Sequence, residues 1–173
     1  ISYGDFVTIW RHDDQNGWRI VLQAGITHAA PAKILKPARP AGFSNRPMEA
    51  RAGGDATVSS AIDSCDSRYS DVVMHQGAAA AILQFGRRDL RTYVLGQQVA
   101  RDRKSALTLL AAFSGAQSTQ RGFTGSGGSA DLGYTYGTID FSLPEPQHYL
   151  RVWRTRGARC ELVLELLRPR VSG

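Results

Sequence analysis

Residues 148–165 read "HYLRVWRTRGARCELVLE": an aromatic, two apolar residues, Trp-Arg, a polar turn with a glycine, then an apolar strand. Residues 5–22, "DFVTIWRHDDQNGWRIVL", follow the same plan. With Trp10 on Trp153, Ile9 falls on Val152, Val7 on Leu150 and Phe6 on Tyr149. One extra turn residue in the first stretch then sets Trp18 on Cys160, Ile20 on Leu162 and Leu22 on Leu164. Both stretches predict β-hairpins. In the first, Phe6, Thr8 and Trp10 share one face and Val7, Ile9 and Arg11 the other, while Asn16-Gly17 is a strong hairpin-turn signal. A lone two-stranded hairpin is marginal in water, so this one must pack on something.

Between the two hairpins the chain changes character twice. Residues 29–56 carry Pro31, Pro37, Pro40 and Pro47 with several glycines, and read as an extended linker. From Thr57, taken as a cap, Val58, Ile62, Cys65, Tyr69 and Val72 recur at steps of four and three, an apolar helical stripe. Ala78 to Phe85 predicts a second short helix, 91–95 a strand and 101–113 a third helix with Ala106, Leu109, Leu110 and Phe113 on one side. Strands follow over 117–124 and 131–141, and then the final hairpin. Gly133 and Gly137 lie inside a strand and are expected to bend it and let the sheet curl. Helices first and hairpin-connected strands after imply an α+β fold, with the helices on one face of a curved sheet.

Composition excludes several classes. No stretch of the 173 residues approaches the roughly 18 apolar residues of a membrane span. The net charge of +6 comes from scattered arginines, with Lys33, Lys36 and Lys104 the only lysines. No basic run forms, so a solvated basic surface is expected rather than a nucleic-acid interface. Cys65 and Cys160 lack metal-ligand spacing, and either one disulfide across the core or two buried thiols fits them. No metal or cofactor is expected. The chain opens on a strand rather than a signal peptide or an initiator Met, which reads as part of a longer or processed chain and leaves the compartment open.

The words "ADLGYTYG" at 130–137, "YLRVWR" at 149–154 and the apolar strand ending in Arg168-Pro169, in this order, resemble the nuclear transport factor 2-like superfamily, specifically its SnoaL-like and ketosteroid-isomerase-like branch. The resemblance covers 57–170. It implies a cystatin-like roll: a cone-shaped, strongly curved antiparallel sheet with three N-terminal helices packed on it, often dimeric through the sheet. Residues 1–28 then resemble the closing hairpin of a first repeat, 29–56 its linker, and 57–170 a nearly complete second repeat.

In this superfamily the resemblance implies a mostly apolar pocket at the mouth of the cone. A ketosteroid isomerase needs a carboxylate base and two donors at the forming oxyanion. At the position that would carry the base this chain has Arg91 to Leu95 without a carboxylate, and Tyr149 to Arg154 holds no Asp. Steroid isomerisation is therefore disfavoured. A small apolar ligand is expected instead, with Tyr69, Tyr93, Tyr134, Tyr136, Asp140 and His148 as candidate lining residues. The competing expectation is an isomerase, dehydratase or cyclase, marked by an acid or His beside a Tyr in a pocket. His75 and His148 have no carboxylate partner visible in the sequence.

Overall fold

The computed structural model describes residues 1–13, 15, 17–31, 55–127, 132–141, 143–156 and 159–170. The linker reading over 32–54, Asn16 of the first turn and Asp131 lie outside them.

Alternation and turn chemistry build the first element pair. Strands β1 (Tyr3–Asp13) and β2 (Gly17–His28) form an antiparallel hairpin. Gly17 opens β2 with φ of 66°, a left-handed conformation that a side chain would strain. Then come α1 (Asp55–Gln76), α2 (Ala78–Phe85), β3 (Gly86–Val94), α3 (Arg103–Leu110), β4 (Ser118–Ser126), β5 (Leu132–Asp140), β6 (Gln147–Arg156) and β7 (Arg159–Pro169). Helix α1 already runs at Asp55, so Thr57 lies inside it rather than capping it. Helix α3 is shorter than the helix expected over 101–113: it starts at Arg103, where the Asp102 side chain caps it by accepting from the Ser105 N–H, and ends at Leu110.

The five later strands form one sheet in the order β3-β7-β6-β5-β4. It is α+β as expected, with two corrections. First, β3 runs parallel to β7, so the sheet is mixed rather than antiparallel. Hairpin connections dictate antiparallel pairing only between consecutive strands, and the chain from β3 to β7 is a long crossover that permits parallel pairing. Second, the sheet is open, with β3 and β4 as its edges, and is not rolled shut. The β5–β6 ladder passes Gly133 and Gly137 without a register shift, and the irregularity lies in the β4–β5 ladder, between Arg121 and Phe123 and opposite the Tyr136–Gly137 step. Gly133 instead allows a close approach, since a Cβ there would meet Ile62 of α1 at 2.7 Å.

Two cores flank the sheet. On one side α1 and α2 bury Val58, Ile62, Cys65, Tyr69, Val73, Ile82 and Phe85 against Ile139, Tyr149, Trp153, Leu162 and Leu167. Tyr69, Phe85 and Trp153 meet edge to face at its centre. Cys65 and Cys160 are bonded, which settles the open alternative and ties α1 to β7 across 95 residues. On the other side the hairpin lays Val7, Ile9, Leu22, Ala24 and Ile26 over Tyr93, Leu150, Leu164 and Leu166. Gly96 donates its N–H to the Thr27 carbonyl at 2.8 Å, stitching β2 to the turn after β3. The hairpin thus packs as required, but through its Val7–Ile9 face. The face of Phe6, Trp10 and Trp18 is turned to solvent.

Candidate functional site

The strand rung Thr135–Arg151–Glu165 crosses the middle of the sheet, each residue opposite the next in β5, β6 and β7. Alternation sends all three side chains to the helix side, where Asp66, Tyr69 and Ser70 of α1 meet them at helical steps of three and four. Arg151 Nη1 donates to Asp66 Oδ1 at 2.9 Å and to Ser70 Oγ at 3.0 Å, and its Nε donates to Glu165 Oε1 at 3.1 Å. Tyr69 donates its hydroxyl to Glu165 Oε2 at 2.8 Å, and Tyr149 donates to Asp66 Oδ2 at 2.9 Å. Thr135 donates to Asp66 Oδ1 and accepts from the Trp153 indole N–H. The guanidinium is sandwiched between two rings, 4.4 Å from the Tyr69 centroid and 4.0 Å from that of Tyr149.

No member of this cluster exceeds 5% exposure. Burial pushes the Tyr69 phenol well above its ordinary value, reinforced by the charge of Glu165. Tyr149 is raised by burial and by Asp66. Burial works against the charge on Arg151, but Asp66 and Glu165 outweigh it and its pKa is raised. Within the cluster, only Nη2 of Arg151 lacks a partner among the described residues. Each tyrosine hydroxyl is committed to a carboxylate, and water does not reach the group. The cluster can clamp α1 to three strands; it cannot hold a substrate in this arrangement.

The opposite face of the sheet carries an open cleft of about 340 Å³ where β2 meets β5–β7. Leu22, Ala24, Leu150 and Leu166 supply its apolar lining, and Tyr136, His148 and Arg168 its polar groups. Among the described residues, no carboxylate lines it. Of the residues singled out from the sequence, Tyr136 and His148 meet here. Tyr134 and Tyr93 lie on the same face but pack in the core under the hairpin, and burial raises both phenols. Asp140 sits half-buried at the end of β5. Tyr69 is on the other side of the sheet, in the clamp. Asp89, beside the position expected for an isomerase base, is paired with Arg87 on β3; that hydrogen bond holds its carboxyl below the usual range. His75 bonds the Asp71 carbonyl of its own helix. Among the described residues, His28 has a carboxylate partner: its Nε2 lies 3.0 Å from Asp5 Oδ2 across the first hairpin.

The sequence reading missed Asp66, Arg151 and Glu165. A signal was present: charged residues at inward positions of apolar strands, and an Asp adjoining the apolar stripe of α1.

No family model matches the chain, and no curated protein does. Solved structures do. An NTF2-like protein of unknown function from Pseudomonas putida aligns with a TM-score of 0.53 at 10% identity, over 69% of this chain and 92% of its own. A cystatin-like fold protein from Burkholderia xenovorans gives 0.54 at 8% identity, over 68% and 95%. An NTF2-like protein from Cytophaga hutchinsonii gives 0.51 at 10%, over 64% and 97%. The fold is NTF2-like. Within this NTF2-like domain the space between α1 and the sheet is filled by the clamp and the Tyr69–Phe85–Trp153 triad.

Proposed function

We propose that this chain is a non-catalytic NTF2-like domain that binds a hydrophobic small molecule. It lacks the carboxylates of the ketosteroid isomerases, and its site is the cleft between hairpin and sheet rather than the interior of a cone. The cleft itself supports this reading: an apolar floor with a few convergent polar groups at its edge is the usual form of a small-molecule site. Arg168 and His148, with no carboxylate among the described residues lining the cleft, favour a ligand with an acidic end. Two copies would pair through the outer face of β4–β5, where Phe123, Leu132 and Tyr136 are exposed; sedimentation equilibrium showing only monomer would exclude this pairing. The disulfide fits an oxidising compartment.

Titration with decanoate, an alkyl carboxylate, followed by amide NMR tests the ligand site. Shifts should map to Ala24, Tyr136, His148 and Arg168, and Arg168→Ala should weaken binding about tenfold, the equivalent of about 1.4 kcal/mol for a charge-assisted hydrogen bond. Shifts confined to Phe6, Trp10 and Ile20, or none, overturn it. Tyr136 and His148 in one cleft favour a second reading, an acid–base enzyme of the isomerase, dehydratase or cyclase type. That reading requires His148-dependent turnover of an enolisable ketone, read as solvent deuterium incorporation that His148→Ala abolishes.

A further inference from the structure

The two hairpins share more than sequence. In β6–β7, Val152 pairs with Leu164 and Trp153 with Leu162, so Val163 is the bulged residue. In β1–β2, Ile9 pairs with Leu22 and Trp10 with Ile20, so Val21 is bulged. Register, bulge position, bulged residue type and the adjoining tryptophan all coincide. The inward faces coincide as well: Val7, Ile9, Leu22 and Ala24 are the counterparts of Leu150, Val152, Leu164 and Leu166. These two sets face each other across the hairpin layer, with Val7, Ile9, Leu22, Ala24, Leu150, Leu164 and Leu166 sharing one core.

The outward faces correspond but differ in cover. Tyr149, Trp153 and Leu162 are buried beneath α1 and α2. Their counterparts Phe6, Trp10 and Ile20 are 71%, 54% and 49% exposed, and Trp18, in the place of Cys160, is 68% exposed. Three large exposed aromatics and an isoleucine on one strand face are the mark of an interaction site. The fold itself shows what such a face accepts, because the equivalent face of β6–β7 carries an α-helix. The chemistry narrows the occupant further: where Arg151 pairs with Asp66 of α1 and Glu165 accepts from the Tyr69 hydroxyl of α1, the hairpin presents Thr8 and Gln23, which are uncharged.

We propose that the outward face of β1–β2 is a docking surface for an amphipathic α-helix of a partner polypeptide, with an apolar stripe free of buried charge. The hairpin is thereby another copy of the β6–β7 unit, with residues 57–170 the nearly complete repeat. Phe6, Trp10 and Trp18 are the anchors, as buried aromatics usually are at interfaces.

The test uses the whole chain and a synthetic peptide of residues 55–85 carrying Cys65→Ala and Asp66→Ala. That peptide contains no tryptophan, and Trp153 is already buried, so a change in emission reports Trp10 and Trp18. A saturable blue shift is expected, with affinity reduced at least about tenfold in Trp10→Ser and Trp18→Ser. The peptide retaining Asp66 should bind more weakly. Absence of a shift, equal binding by both peptides, or a concentration-dependent blue shift of the protein alone with dimer mass in sedimentation overturns the proposal; the last assigns the face to a second copy.

Discussion

Hairpins β1–β2 and β6–β7 have the same register and the same bulge, yet one is sealed on both faces and the other on one. Backbone pairing and local pattern are therefore not what distinguishes them. The difference lies in three positions of the outward face. Arg151 binds α1 through its ion pair with Asp66, Glu165 by accepting from the Tyr69 hydroxyl and Cys160 through the disulfide, whereas Thr8, Gln23 and Trp18 stand in those places with no helix of the described residues above them. The charged version is specific because it tolerates only a helix with a carboxylate at the right step. The aromatic version is permissive, and any apolar stripe satisfies it.

Breaking the clamp should have the largest effect. Arg151→Met leaves two buried carboxylates without their cation, and losing one partner of a buried pair costs about 3–5 kcal/mol. Thr8→Met at the matching position of the first hairpin should stay within about 0.5 kcal/mol. Urea unfolding of both variants measures the contrast, and equal effects would show that the clamp does not set the two hairpins apart.

Removing the covalent tie comes next. Reduction, or the Cys65→Ser/Cys160→Ser pair, should cost about 2–4 kcal/mol, since it frees a long loop in the unfolded chain. Thermal melts with and without reductant should show a lowered midpoint for the wild type only. A reductant-insensitive midpoint would mean that α1 holds its place on β7 through packing alone.

The smallest expected effect is alkaline. Tyr69 and Tyr149 have phenols raised in the folded protein, chiefly by burial, so folding favours their neutral forms. Their contribution is complete below the ordinary phenol value of about 10 and is lost as pH rises from there through the folded pKa. Urea midpoints should fall from about pH 10 upward, and Tyr69→Phe should flatten that fall. At neutral pH the same substitution should cost about 1–3 kcal/mol, by leaving a Glu165 oxygen unsatisfied.

Much of this architecture was legible in the residues. Period-two alternation placed Val7 and Ile9 opposite Phe6 and Trp10, and the four-three stripe of α1 named Ile62, Cys65 and Tyr69, all three buried. Tyr136 and His148, expected from the sequence as ligand-lining residues, lie in one cleft. Tyr69 was picked for the same site and lies on the other side of the sheet, because a residue's face within an element does not say which layer that element joins. The clamp was overlooked for a related reason. Arg151, Glu165 and Asp66 are 85 and 14 residues apart in the chain, and only folding makes them one group.

The sequence by itself determined the element types, the likeness of the two hairpins and the alternation that splits each strand into two faces. These rest on local geometry: helical and pleated periods, and turn residues with left-handed backbone. Only the tertiary structure decided that β3 pairs parallel with β7, that Cys65 meets Cys160 and that the cavity lies outside the helix layer. It also decided that Trp153 is buried and Trp10 is not. Burial is a property of what lies above a face, and the two tryptophans sit in the same local sequence and the same register.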